Sequence, residues 1–124
     1  MKSKILIVED DTSLSSAYSF LFTKHGYEVL VAGNGEEANY VVDDFEPDLI
    51  LLDLRMPKSG GIDFLVEYNK VTHKKTPKII VFSNLDTKVE IQQAYDLGAD
   101  RYVLKAWVAP RELLQLVQET LVGV

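Results

Sequence analysis

The 124-residue chain has no cysteine, a single tryptophan, four prolines and seven glycines. Without cysteine there is no disulfide framework, no thiolate-bound zinc and no thiol nucleophile. So little glycine and proline excludes collagen-like and low-complexity sequence, and 47% hydrophobic residues exclude a disordered tail. No apolar run approaches the ~18 residues that a membrane helix requires, and the run at 5–8 is too short for a signal peptide. Basic residues are in deficit: 13 Lys plus Arg against 19 Asp plus Glu leave a net charge of −6. That is the wrong sign for bulk attraction to nucleic acid or anionic lipid. The expectation is one soluble, cytoplasmic domain that contacts neither nucleic acid nor membrane directly and whose surface favours a cation.

Five short aliphatic runs punctuate the chain: Ile5-Leu6-Ile7-Val8, Val29-Leu30-Val31, Leu49-Ile50-Leu51-Leu52, Ile79-Ile80-Val81-Phe82 and Tyr102-Val103-Leu104. Their unbroken apolar character suits parallel strands covered on both faces. Between them apolar residues recur at helical spacing: Leu14, Ala17, Tyr18, Leu21 and Phe22; Ala38, Val41, Val42 and Phe45; Ile91, Ala94 and Tyr95; Leu113, Leu116, Val117 and Leu121. A less regular stretch over 61–71 rests on Ile62, Leu65 and Val66. Boundary residues agree. Asn34 stands three before Glu37 and Thr87 three before Glu90, the capping-box spacing. Gly26 and Gly98 occupy left-handed cap positions, Pro47 blocks continuation of the second helix, and Pro110 suits the first turn of the last. Five β-α units predict an open, doubly wound α/β sheet, too few to close a barrel.

All strands of a parallel sheet end at one edge, so the residues after each run become neighbours. These are Glu9-Asp10-Asp11, Asp53, Ser83-Asn84 and Lys105. Ligands of open α/β sheets bind at that edge, and the flavodoxin-like strand order 2-1-3-4-5 puts the first and third strands beside the crevice. Clustered carboxylates repel unless a cation intervenes; Lys105 and a hard divalent ion such as Mg²⁺ are the candidates. Asp53 is the best-placed nucleophile, because a carboxylate forms an acyl phosphate when the incoming oxygens are neutralised. Ser83 and Lys105 could then each hold a phosphoryl oxygen.

The stretches Ile5-Leu6-Ile7-Val8-Glu9-Asp10-Asp11, Pro47-Asp48 through Asp53-Leu54-Arg55-Met56-Pro57, Gly60-Gly61 and Gly98-Ala99-Asp100-Arg101-Tyr102-Val103-Leu104-Lys105 resemble the receiver domain of bacterial two-component response regulators, the CheY-like superfamily. The resemblance spans 1–124 as one receiver domain, with no output domain. It implies a flavodoxin-like (βα)5 fold and phosphorylation of Asp53 by a sensor histidine kinase or phosphotransfer protein. It implies Mg²⁺ held by Asp10, Asp53 and the backbone carbonyl of Arg55, with Glu9 acting through water. Ser83 and Tyr102 take the switch positions, and Lys105 that of the conserved-type lysine. The fourth helix, fifth strand and fifth helix would change to control a downstream effector, or to form a phosphorylation-dependent dimer. Catalysis is then limited to assisting the domain's own phosphorylation and dephosphorylation.

Two departures stand out. Ala106 follows Lys105 where the family usually has a cis-bonded proline, leaving a cis or a trans bond open. Glu9 stands where Asp is frequent.

The simpler readings are these. Asp11 is expected to cap the first helix. Tyr102 fits a half-buried edge aromatic, Trp107 either packs locally or anchors a partner, and Lys70, His73, Lys74, Lys75 and Lys78 form a solvated loop at the far edge. Arg55 and Leu85, each two past a site residue, lie where family members differ in dephosphorylation rate. The alternative function is a phosphorylation-independent pseudo-receiver acting as a protein-interaction module. A haloacid dehalogenase-type phosphohydrolase fails because Arg55 stands where the second carboxylate is needed. Flavin binding fails because acidic residues replace a phosphate loop.

Overall fold

In the computed structural model, which describes residues 2–84 and 87–123, the five β-α units follow one another as expected. They are β1 (Lys4–Val8), α1 (Thr12–Lys24), β2 (Glu28–Ala32), α2 (Gly35–Phe45), β3 (Leu49–Leu52), α3 (Gly61–Tyr68), β4 (Lys78–Ser83), α4 (Lys88–Asp96), β5 (Arg101–Leu104) and α5 (Pro110–Val122). The strands form one parallel sheet in the order β2-β1-β3-β4-β5.

Alternation along the strands divides the core. Leu6, Val8, Ile50 and Leu52 face α2 and α3 with Val42, Phe64 and Leu65. Ile5, Ile7, Leu49 and Leu51 face α1 and α5 with Phe22, Leu113 and Val117. Full coverage holds for β3 and for all but the first residue of β1 and of β4. It fails at the edges: β5 is half-buried throughout, and β2 carries two exposed residues. An edge strand lacks a neighbour on one side, so an apolar run does not ensure burial there.

The boundary chemistry operates as read. Asp11 Oδ1 accepts from the Leu14 amide at 3.1 Å, Asn34 Oδ1 from Glu37 at 2.9 Å, and Thr87 Oγ1 from Glu90 at 3.4 Å. Gly26 and Gly98 adopt φ of 92° and 107°. Because Pro47 cannot continue α2, Glu46 turns left-handed at φ 52° and closes the helix through its amide to the Val42 carbonyl. The third helix is shorter than its 61–71 pattern. It stops at Tyr68, where Asn69 Nδ2 donates to the carbonyls of Leu65 and Leu97, both at 2.8 Å. That amide ties the end of α3 to the end of α4.

The basic segment before β4 lies at the far edge as expected, but it is not simply solvated. Lys75 Nζ pairs with Asp48 Oδ1 at 2.8 Å and reaches the Glu46 carbonyl at 3.1 Å. Asp48 Oδ2 in turn accepts from the Lys4 amide at 2.7 Å. His73 stacks on Tyr68, with ring centroids 3.8 Å apart.

Candidate functional site

The carboxyl ends of β1, β3, β4 and β5 are aligned by register. Val8 pairs with Leu52, Leu52 with Val81, and Ser83 with Leu104. Backbone bonding runs one residue past the strands: the Asp53 amide donates to the Val8 carbonyl and the Glu9 amide to the Ala32 carbonyl, both at 3.0 Å. Glu9 and Asp53 are therefore fixed to the sheet itself rather than to mobile loops.

The loop after Asp53 is held close. A Cβ at Gly61 would lie 2.5 Å from the Asp53 carbonyl oxygen and 2.9 Å from Leu54 Cα, so no larger residue fits without displacing backbone. Its amide donates to the Leu54 carbonyl at 3.1 Å. Glycine here lets α3 start against the backbone of the residue that the sequence marks as nucleophile.

Three carboxylates meet on this rim. Glu9, Asp10 and Asp53 each offer an oxygen, and these atoms all lie within 4.8 Å of one another. Glu9 and Asp53 are buried, whereas Asp10 is exposed. Lys105 enters from the turn after β5 and donates to Asp53 Oδ2 at 3.0 Å and to Glu9 Oε1 at 2.5 Å. The Lys105–Ala106 bond is trans, which settles the alternative left open by the missing proline. A short 3-10 turn over Lys105–Trp107 presents the ammonium.

The charges are unbalanced: three carboxylates face one ammonium. Burial, helped by the neighbouring Asp53 charge, pushes the Glu9 carboxyl above its usual range, against the bonds from Lys105 and the Asp11 amide. Burial opposes charge on Lys105 too, but its two carboxylate partners outweigh it and raise the ammonium above its ordinary value. One cation serving two buried anions stays charged while anionic excess persists beside it. An all-oxygen donor set with uncompensated negative charge suits a hard divalent ion. The interior gap bounded by Glu9, Tyr18, Asp53 and Phe82 measures about 10 Å³, room for at most one water. Any reacting group must therefore approach from the open rim.

Each remaining site residue can be placed. Ser83 closes β4, its residue 1% exposed, one register step from Lys105. The Arg55 amide donates to Asp53 Oδ1 at 3.2 Å, while its guanidinium reaches across to Glu90 on α4, also at 3.2 Å. Tyr102 is half-buried on β5 against the α2–α3 side of the core. Trp107 is 79% exposed, so of its two readings local packing is not what the structure shows. Leu85 lies outside the described residues. Glu90, the partner of Arg55, was not anticipated as part of this region; the pair is separated by 35 positions and leaves no local sequence signal.

Among the described residues no helix is long and apolar enough to cross a membrane. Relatives and structural neighbours agree with the geometry. The chain is 40% identical over 119 residues to the transcriptional regulatory protein CpxR of Klebsiella pneumoniae, covering 96% of this chain and 49% of that protein. It is 33% identical to the DNA-binding response regulator MtrA of Mycolicibacterium smegmatis, covering 98% and 51%. The chain thus spans about half the length of these curated relatives. The expectation that nucleic acid is not contacted finds no support in relatives named as DNA-binding. Among solved structures, a CheY-like receiver domain protein from Methanospirillum hungatei superposes with a TM-score of 0.90 at 28% identity, covering 99% of this chain and 96% of that one. Chemotaxis protein CheY4 of Vibrio cholerae gives 0.87 at 26% identity, covering 96% and 98%. The family description "Response regulator receiver domain" matches residues 5–118. The chain belongs to the response regulator receiver domain family.

Proposed function

We propose that this receiver domain is a phosphoacceptor switch in which Asp53 takes a phosphoryl group from a histidine kinase or phosphotransfer protein in a Mg²⁺-dependent reaction in the cytoplasm. The observation that carries the reading is Asp53 itself, fixed to the sheet, within 4.8 Å of two further carboxylates and bonded to the Lys105 ammonium. In the transfer the N–P bond of a phosphohistidine breaks and a bond forms from phosphorus to an Asp53 carboxylate oxygen. The electron pair of the broken bond returns to the imidazole nitrogen. Asp10, Asp53 and the Arg55 carbonyl would hold Mg²⁺, with Glu9 acting through water, and the ion would supply charge neutralisation for the phosphoryl oxygens.

This chain's own residues do the rest. Asp53 is oriented by the Arg55 amide at one oxygen and by Lys105 at the other. Lys105 pairs with a phosphoryl oxygen once the acyl phosphate forms, and the buried Ser83 hydroxyl hydrogen-bonds another. Moving Ser83 and Lys105 toward the new group biases α4, β5 and α5, with Tyr102 changing its exposure, and so alters the surface offered to an effector or a second copy. The domain assists only its own phosphorylation and dephosphorylation and has no turnover substrate. Keeping the acceptor, the acidic set and the lysine argues against a pseudo-receiver.

Intact-protein mass spectrometry after incubation with a small phosphodonor tests this. One phosphoryl group is expected on the wild type with Mg²⁺, and none without the metal or in Asp53→Asn. An unmodified wild-type protein would contradict the reading.

A further inference from the structure

At the opposite edge of the sheet from the acidic rim, His73 makes contacts that the phosphoacceptor reading does not use. Its Nδ1 lies 2.6 Å from Asp43 Oδ1 on α2, and its Nε2 lies 2.7 Å from the Tyr68 carbonyl at the end of α3. The ring is stacked on Tyr68 at an interplanar angle of 6°, and the side chain is only 11% exposed. Both partners are acceptors. A neutral imidazole has one N–H and one lone pair, so it satisfies one of these contacts and sets a lone pair against the other. Only the doubly protonated ring donates to both.

We propose that His73 is a proton-operated clasp, which as imidazolium fastens the connection over 69–77 to α2 and, on losing its proton, gives up one of its two bonds and loosens it. The charged groups around the ring are of both signs, and the one in direct contact with it is a carboxylate. From α2 come Asp43 and Asp44; from the connection itself come Lys74 and Lys75, which line the same recess of about 470 Å³ with His73, Tyr68 and Glu46. Lys75 is already held by Asp48 and the Glu46 carbonyl, so its charge is answered within the network. Asp43 faces His73 directly. Burial opposes the charged ring, but the bonds to the Tyr68 carbonyl and the Asp43 carboxylate outweigh it and raise the group above the ordinary 6.5. With the folded value raised, the contribution is fully present below the unfolded value and is lost as pH rises through the folded one. The clasp is closed in mild acid and loosens on the alkaline side.

Histidine-selective ¹⁵N NMR of the whole chain from about pH 5 to about pH 9 tests this without a mutation. Both ring nitrogens of His73 should show imidazolium shifts at the acid end. The amides of residues 70–76 and of Asp43 should move with the same midpoint. In Asp43→Asn that midpoint should fall by about one pH unit. A single neutral tautomer at the acid end, loop amides that ignore the His73 titration, or an Asp43→Asn midpoint equal to that of the wild type would overturn the proposal.

Discussion

Lys105 and Asp53 stand 52 positions apart in the chain, and their side chains meet at 3.0 Å because β5 and β3 end on the same edge of the sheet. The same ammonium bonds Glu9, so a single cation is shared between two buried carboxylates. Removing it leaves two anions with no counter-charge. Lys105→Met should therefore lose about 3 kcal/mol of stability near neutral pH. The loss should shrink in acid: burial already raises the Glu9 carboxyl above 4.5, and without the lysine it rises further and takes up a proton. Urea unfolding at about pH 7 and about pH 5 measures both terms. An equal loss at the two values would contradict the shared-cation arrangement.

The excess negative charge on the rim also predicts a response to metal. Binding to the folded chain alone should stabilise it by about 2.7 kcal/mol when free Mg²⁺ reaches ~100 times its Kd. Asp10→Asn should lose most of that gain while being no less stable than the wild type without metal, since one repelling carboxylate is gone. Thermal melts with and without Mg²⁺ check this; an equal Mg²⁺-induced rise in both proteins would remove Asp10 from the ligand set.

At the far edge, Asp48 predicts a pH dependence of opposite sense to that of His73. Burial alone would raise its carboxyl, but the Lys75 ammonium and the Lys4 amide outweigh it and hold the group below 3.8. A depressed folded value contributes stability above the unfolded one and loses it as pH falls through the folded one. Asp48→Asn should cost about 1–2 kcal/mol at neutral pH and progressively less in strong acid. Denaturation curves across that range measure it, and a pH-independent difference would deny Asp48 its ion pair.

What could be seen in the sequence divides by distance along the chain. The aliphatic runs, the Asn34 and Thr87 caps, Gly26, Gly98 and Pro110 are local signals, and the observed elements follow them. The meeting of Glu9, Asp53 and Lys105 was also legible, because parallel strands place all their ends together. Exposure of Val31 on β2, and the incomplete burial of β5 beyond Tyr102, were not, since a run of Val and Leu reads alike at an edge and in the centre. Neither was the early end of α3, which depends on Asn69 finding the Leu97 carbonyl 28 positions away. His73 looked like part of a solvated basic loop for the same reason: its partner Asp43 lies 30 positions upstream on another element.

The most direct measurement identifies the modified residue. Borohydride reduces an aspartyl phosphate to homoserine, so treating the chain after incubation with a phosphodonor and Mg²⁺, followed by peptide sequencing, marks the acceptor. Homoserine at position 53 and at no other aspartate is the predicted result. Homoserine at Asp10 or Asp11 with Asp53 intact would contradict the account.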